Sequence, residues 1–245
     1  MSEKSIPSSD SKAVLVLLFI LSVVAGTTDV IGFLGLNGLF TAHITGNLVL
    51  LCAQLVGYGD AQLAKILSIP VFIVVVGMTR VLAGRLALKG IESLCPLLWL
   101  QFILIAGFFA LCLMAGPIVN PNTTITIVAG MFGVSAMAVQ NALVQLSIKD
   151  APSTAIMTSN VTRFALDIGT VMLNANQEAV DHARKRAGRT LPVILGFAIG
   201  CGIGALSEKT FGLTSLALPT VLTLVLVVLG IMIERDMVSK IKREL

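Results

Sequence analysis

The sequence predicts an all-α polytopic membrane protein. The arrangement expected is six transmembrane helices plus two short broken or re-entrant segments, related as an inverted repeat; the alternative is eight spans in a parallel repeat. Three observations lead there. Of 245 residues, 56% are hydrophobic and 12% are charged, whereas a soluble domain carries about 25% charged residues. Mean hydropathy is +0.96. The apolar residues form continuous runs instead of alternating, which argues against a membrane barrel. Too little polar surface remains to cover a water-soluble globule, so soluble enzymes, disordered chains and disulfide-stapled secreted domains are excluded.

The elements follow in order. Residues 1–12 are polar and carry Lys4 and Lys12, and they are read as a cytoplasmic tail. The next apolar run continues to Leu34, past any signal-peptidase site near Ala25-Gly26, so it suits an uncleaved span. A hydrocarbon core of about 30 Å needs about 20 helical residues. Six segments meet that need: 13–34, 66–88, 97–119, 123–146, 190–206 and 213–233. Two more, 40–57 and 155–173, are apolar but carry polar breaks, at Thr45-Gly46-Asn47 and Thr158-Ser159-Asn160.

Charge chooses between the two counts. With six spans, 13 Lys and Arg fall on one side: Lys4, Lys12, Arg85, Lys89, Lys149, Arg184, Lys185, Arg186, Arg189, Arg235, Lys240, Lys242 and Arg243. Only Lys65 and Lys209 fall on the other. Eight spans give 11 against 4. The positive-inside rule favours six, with both termini and a loop at 184–189 in the cytoplasm of a cell with an inner (plasma) membrane.

The chain also resembles itself. Ala42-His43-Ile44-Thr45-Gly46-Asn47 and Ala155-Ile156-Met157-Thr158-Ser159-Asn160 share a pattern at an offset of 113 residues. One long span precedes each motif and two follow it. This divides the chain into halves at 13–119 and 120–233, with a cytoplasmic tail at 234–245. Three spans per half make the repeat inverted, and interrupted helices at matching positions are the best sequence pointer to a transporter's binding site.

Gly26-Thr27-Thr28-Asp29, Phe33-Leu34 and the run from Phe40 to Asn47 resemble the YoaK-like family of bacterial membrane proteins. Gln140-Asn141 and Thr158-Ser159-Asn160 resemble it too, with Ser159 standing where that family has glycine. The similarity extends over about residues 13–233. It implies a multi-span inner-membrane protein and no particular activity, because the family is one of unknown function.

Chemistry is therefore read from the residues. Asp29 lies inside the first span, where an acidic side chain costs about 2.5–3.5 kcal/mol on insertion scales. It is either a proton or cation site or an interfacial carboxylate bonded to Thr27, Thr28 or a helix N-terminus. Arg163 and Asp167 stand four apart on one helical face and are expected to pair, as an anion-contacting Arg held by Asp or as an internal ion pair. Thr45, Gly46 and Asn47, Gln140 and Asn141, and Thr158, Ser159 and Asn160 supply hydroxyls, close backbone approach and amides. They bind a polar solute or ion, or they cap and cross-link helices. The glycines of Gly196, Gly200 and Gly204 lie inside an apolar span, where they form a packing face and no nucleotide loop.

Cys52, Cys95, Cys112 and Cys201 have no CxxC spacing, and His43 and His182 are too isolated for a metal site. No catalytic residue, metal or cofactor is expected. The expected partners are the lipid bilayer and an unknown small solute or ion, with no nucleic acid. The leading function is a secondary transporter, proton-coupled through Asp29. A channel-like pore and a non-transporting accessory subunit are the alternatives, and no enzymatic constellation is present to favour catalysis.

Overall fold

The computed structural model describes residues 11–58, 63–116, 120–174 and 176–244. The expected tail over residues 1–10 and the end of the third span at 117–119 lie outside them. Among the described residues every regular element is helical: α1 (Lys12–Gly35), α2 (Ile44–Leu55), α3 (Leu63–Leu88), α4 (Leu94–Ala115), α5 (Thr124–Ser147), α6 (Met157–Leu173), α7 (Gln177–Phe211) and α8 (Ala217–Glu244). A 3₁₀ turn at Gly212–Leu216 joins α7 to α8. Among the described residues five stretches are long and apolar enough to cross a membrane: α1, α3, α4, α5, and Gln177–Asp236, which contains α7, the turn and most of α8.

Two differences from the sequence reading concern the elements. The cationic run 184–189 is not a loop but the N-terminal part of α7. Apart from Gly188, its residues are good helix formers. Asn176 caps the helix, its side chain accepting the Glu178 N–H at 3.0 Å. The Thr-Gly-Asn and Thr-Ser-Asn motifs do not interrupt helices either; each forms the first turn of one, α2 or α6. The breaks lie just before them, in residues 36–43 and 148–156.

Helix directions follow from which residues meet. Gly196 lies against Phe19, Gly200 against Val23 and Gly204 against Thr27. These contacts advance together, so α1 and α7 run parallel. A Cβ on Gly200 or on Gly26 would collide with the facing backbone, so the small residues set how closely the two helices approach. Gln140 on α5 reaches the Leu21 carbonyl, while Gly130 faces Leu36, so α1 and α5 are antiparallel. Ser93 pairs with Ser147 and Gln101 with Gln140, which makes α4 and α5 antiparallel. The Cys95 N–H donates to Glu234 while Leu98 meets Gly230, so α4 and α8 are antiparallel as well.

Helices α1 and α5 form the core. In each, 72% of the most apolar window is buried, against 17% for α3. Leu17, Leu18, Leu21, Met137 and Leu143 meet in the larger apolar cluster, and Ile31, Leu39, Phe108 and Leu216 in the smaller. Around this core α7 and α8 pack on α1, and α3 and α4 pack on α5. Helix α2 packs on α3 as α6 packs on α7. Ile73, Val74 and Met78 of α3 are exposed, as a face turned to hydrocarbon should be. Both α3 and α7 contain a proline, Pro70 and Pro192.

Candidate functional site

The chain leaves α1 at Gly35 and folds back beside that helix before α2 begins. Asn37 and Gly38 make the turn with positive φ. The turn brings residues 41–43 down to the level of Asp29. There Asp29 Oδ1 accepts the backbone N–H groups of Thr41 and Ala42, both at 2.7 Å, and the Thr41 hydroxyl at 3.3 Å. Its other oxygen, Oδ2, lies 2.5 Å from His43 Nδ1. A carboxylate that would be costly in hydrocarbon is thus surrounded by donors, and hydrogen bonds to a charged group contribute about 1.5–3 kcal/mol each. The two partners differ in access. The Asp29 side chain is 3% exposed and that of His43 is 37% exposed. The imidazole also meets Phe40 and Phe197, each with ring centroids 5.7 Å away.

Asn47 closes the same loop. Its Oδ1 accepts the Phe40 N–H at 2.9 Å and its Nδ2 donates to the Phe40 carbonyl at 2.7 Å. One side-chain amide thereby replaces a backbone partner for an extended segment that has none. Nδ2 also donates to Ser68 of α3 at 3.0 Å. The second half repeats the device, with Asn160 Nδ2 donating to the Ser153 carbonyl at 2.6 Å. Phe40 and Ser153 are offset by the same 113 residues as Asn47 and Asn160.

The part that Asp29 of α1 plays for the first loop is taken for the second by neutral amides of α5. Gln140 Nε2 donates to the Thr154 hydroxyl and to the Leu21 carbonyl, both at 2.9 Å, and its Oε1 accepts from Gln101 at 2.7 Å. This buried chain ties α4, α5, the second loop and α1 together. Asn141 Oδ1 accepts from Ser153 at 3.5 Å, and its Nδ2 returns to the Met137 carbonyl. Thr45, Thr158 and Ser159 are exposed, and Gly46 is half-buried against Phe40. The asparagines of the two motifs therefore hold the loops, while their hydroxyls face outward.

Arg163 and Asp167 do not pair. Asp167 is buried and faces α7, where Arg186 donates to it through Nε at 3.0 Å to each oxygen and through Nη2. Four-residue spacing allows a contact along one helix, but the guanidinium fork arriving from α7 satisfies both oxygens at once. Arg163 is left exposed beside it.

His43 was not among the sequence-based candidates, nor were Thr41, Gln101, Thr154 or Arg186. The signal for His43 is its place in the same run as Asn47, 14 residues after an aspartate that is costly inside a span. Only the folding back of residues 36–43 makes that separation short. Among the described residues no three His, Cys, Asp or Glu side chains converge. An imidazole and a carboxylate at this distance can pass a proton between them.

Comparison with known proteins adds one finding. A family model described as "Protein of unknown function (DUF1275)" matches residues 17–229. No curated protein and no solved structure matches the chain. The match covers nearly the extent over which the sequence resembles a multi-span family of unknown function.

Proposed function

The chain belongs to the DUF1275 family, and from that premise we propose that it is a secondary transporter of a small solute or ion, built as an inverted repeat and coupled to protons through Asp29 and His43. One observation carries the reading. Exchanging α1–α4 for α5–α8 leaves the pattern of helix pairings unchanged: α1 with α7 becomes α5 with α3, α2 with α3 becomes α6 with α7, and α1 with α8 becomes α5 with α4. The exchanged partners α1 and α5, and α4 and α8, are antiparallel. An odd number of crossings in each half produces that relation and an even number does not. Three crossings per half, with α2 and α6 as returning segments, make six spans. The charge distribution then puts both termini in the cytoplasm of an inner-membrane protein.

Inverted halves with non-helical backbone near their centre are the architecture in which two alternating states can exchange roles around a fixed site. The first loop is held by a carboxylate on α1 and the second by amides on α5, so proton handling belongs to one half. The reading is non-enzymatic: Asp29 and His43 form the proton-handling pair of a transporter. A pore is disfavoured because Gln101, Gln140, Thr154 and the Leu21 carbonyl close the centre with hydrogen bonds.

The test is proton movement into proteoliposomes, followed with an internal pH dye while a panel of small ions and metabolites is added one at a time. At least one solute should drive proton flux in the wild type, and His43→Gln should abolish that flux while retaining solute exchange. Solute flux in the wild type that ignores a pH gradient would remove the coupling. No flux with any member of a broad panel would count against transport itself.

A further inference from the structure

We propose that the cavity between α6, α7 and the loop after α5 is a binding site for a phosphate-bearing anion. It lies at the end of the bundle where α5 finishes and α7 begins, away from Asp29 and His43. Its volume is about 630 Å³, and Asp150, Arg163, His182, Lys185, Arg186 and Arg189 line it.

Helix geometry concentrates the charge. His182, Lys185, Arg186 and Arg189 recur at intervals of three and four along α7, so they share one side of that helix. Arg163 comes from α6 and faces the same space. Arg163, Lys185, Arg186 and Arg189 share the cavity wall with Asp150, and Asp167 stands behind Arg186. The bond from Arg186 to buried Asp167 fixes one guanidinium in place, so part of the site is organised before any ligand arrives.

Positive-inside topology alone asks for cations at this end of the bundle but not for a cavity. Arg184, on the same turn of α7, is exposed and does not line it. Convergent guanidinium groups around a space of this size suit a phosphate, which accepts bidentate hydrogen bonds and carries more than one charge. The phosphate can belong to an anionic lipid headgroup, as in basic pockets at the cytoplasmic side of other membrane proteins, or to a soluble phosphorylated compound.

The experiment uses the full chain purified in uncharged detergent at about 0.15 M salt, where exposed charges are screened beyond about 8 Å. Pyrophosphate is titrated by calorimetry, and retention of phosphatidylglycerol is read by native mass spectrometry. The wild type should bind at least one of the two probes. Arg163→Gln should weaken that binding about fivefold, the effect of one basic residue near an anionic surface, while Arg184→Gln leaves it unchanged. Pyrophosphate binding identifies a soluble source, and lipid retention without it identifies the headgroup. His182→Gln replaces Arg163→Gln should that variant not fold. Binding of neither probe, or equal weakening by Arg184→Gln, overturns the proposal. Equilibrium binding requires no transport, so failure here leaves the transporter reading standing.

Discussion

At the scale of single residues, the aspartate in the first span is an anchor as well as a charge. Asp29 Oδ1 holds the N–H groups of Thr41 and Ala42, and these donors are buried. An asparagine keeps a carbonyl oxygen of the same shape there, whereas an alanine leaves both donors without a partner. Each unmet buried donor costs about 1–3 kcal/mol. Asp29→Ala should therefore lower the melting temperature in detergent far more than Asp29→Asn does. Equal losses in the two variants would mean that the charge, and not the loop anchor, stabilises the fold. The cost of Asp29 was legible in the sequence because insertion energetics depend on a residue's place in its own segment. Its partners were not, because residues 41–43 reach it only after the chain reverses at Asn37 and Gly38.

At the scale of elements, glycine position separates helices that must touch from helices that face lipid. Gly196, Gly200 and Gly204 of α7 lie on the backbone of α1, and the sequence pattern identified them as a packing face. Gly77 and Gly84 of α3 have open space where a Cβ would stand. Gly200→Ala should push α7 away from α1 and lower the melting temperature by several degrees. Gly77→Ala should leave it unchanged or raise it slightly, since alanine is favoured over glycine in a helix interior by about 1 kcal/mol. Similar shifts in both would show that close approach is not what Gly200 provides. The start of α7 is the element that hydropathy misread. A run of Arg and Lys looks like a loop to a hydropathy window, yet these residues extend the helix beyond its apolar part.

For the whole molecule, the antiparallel relation of α1 to α5 makes a topological demand. Asn122 and Lys185 are both exposed, and one crossing separates them in the six-span reading. Cysteines placed at these two positions should react with a membrane-impermeant reagent from opposite faces of an oriented vesicle. Labelling from the same face would select eight spans and a parallel repeat. Helix α7 is seated on α1 through glycines, and between α3, α4 and α5 lies an apolar crevice of about 740 Å³ lined by Val74, Met78, Leu100, Leu104 and Val139 among others.

Hydropathy along the chain was enough to identify a membrane protein, to locate its long apolar helices and to set two short segments apart from the rest. Those properties are local sums of hydropathy over about 20 residues, matched to the thickness of a bilayer. Tertiary structure decided which way each segment returns, that Asp29 meets His43, and that Asp167 takes Arg186 across two helices instead of Arg163 on its own. Each of those outcomes depends on chain reversal and on competition among distant partners for one buried carboxylate. The pattern of residues along a single helix cannot express that competition.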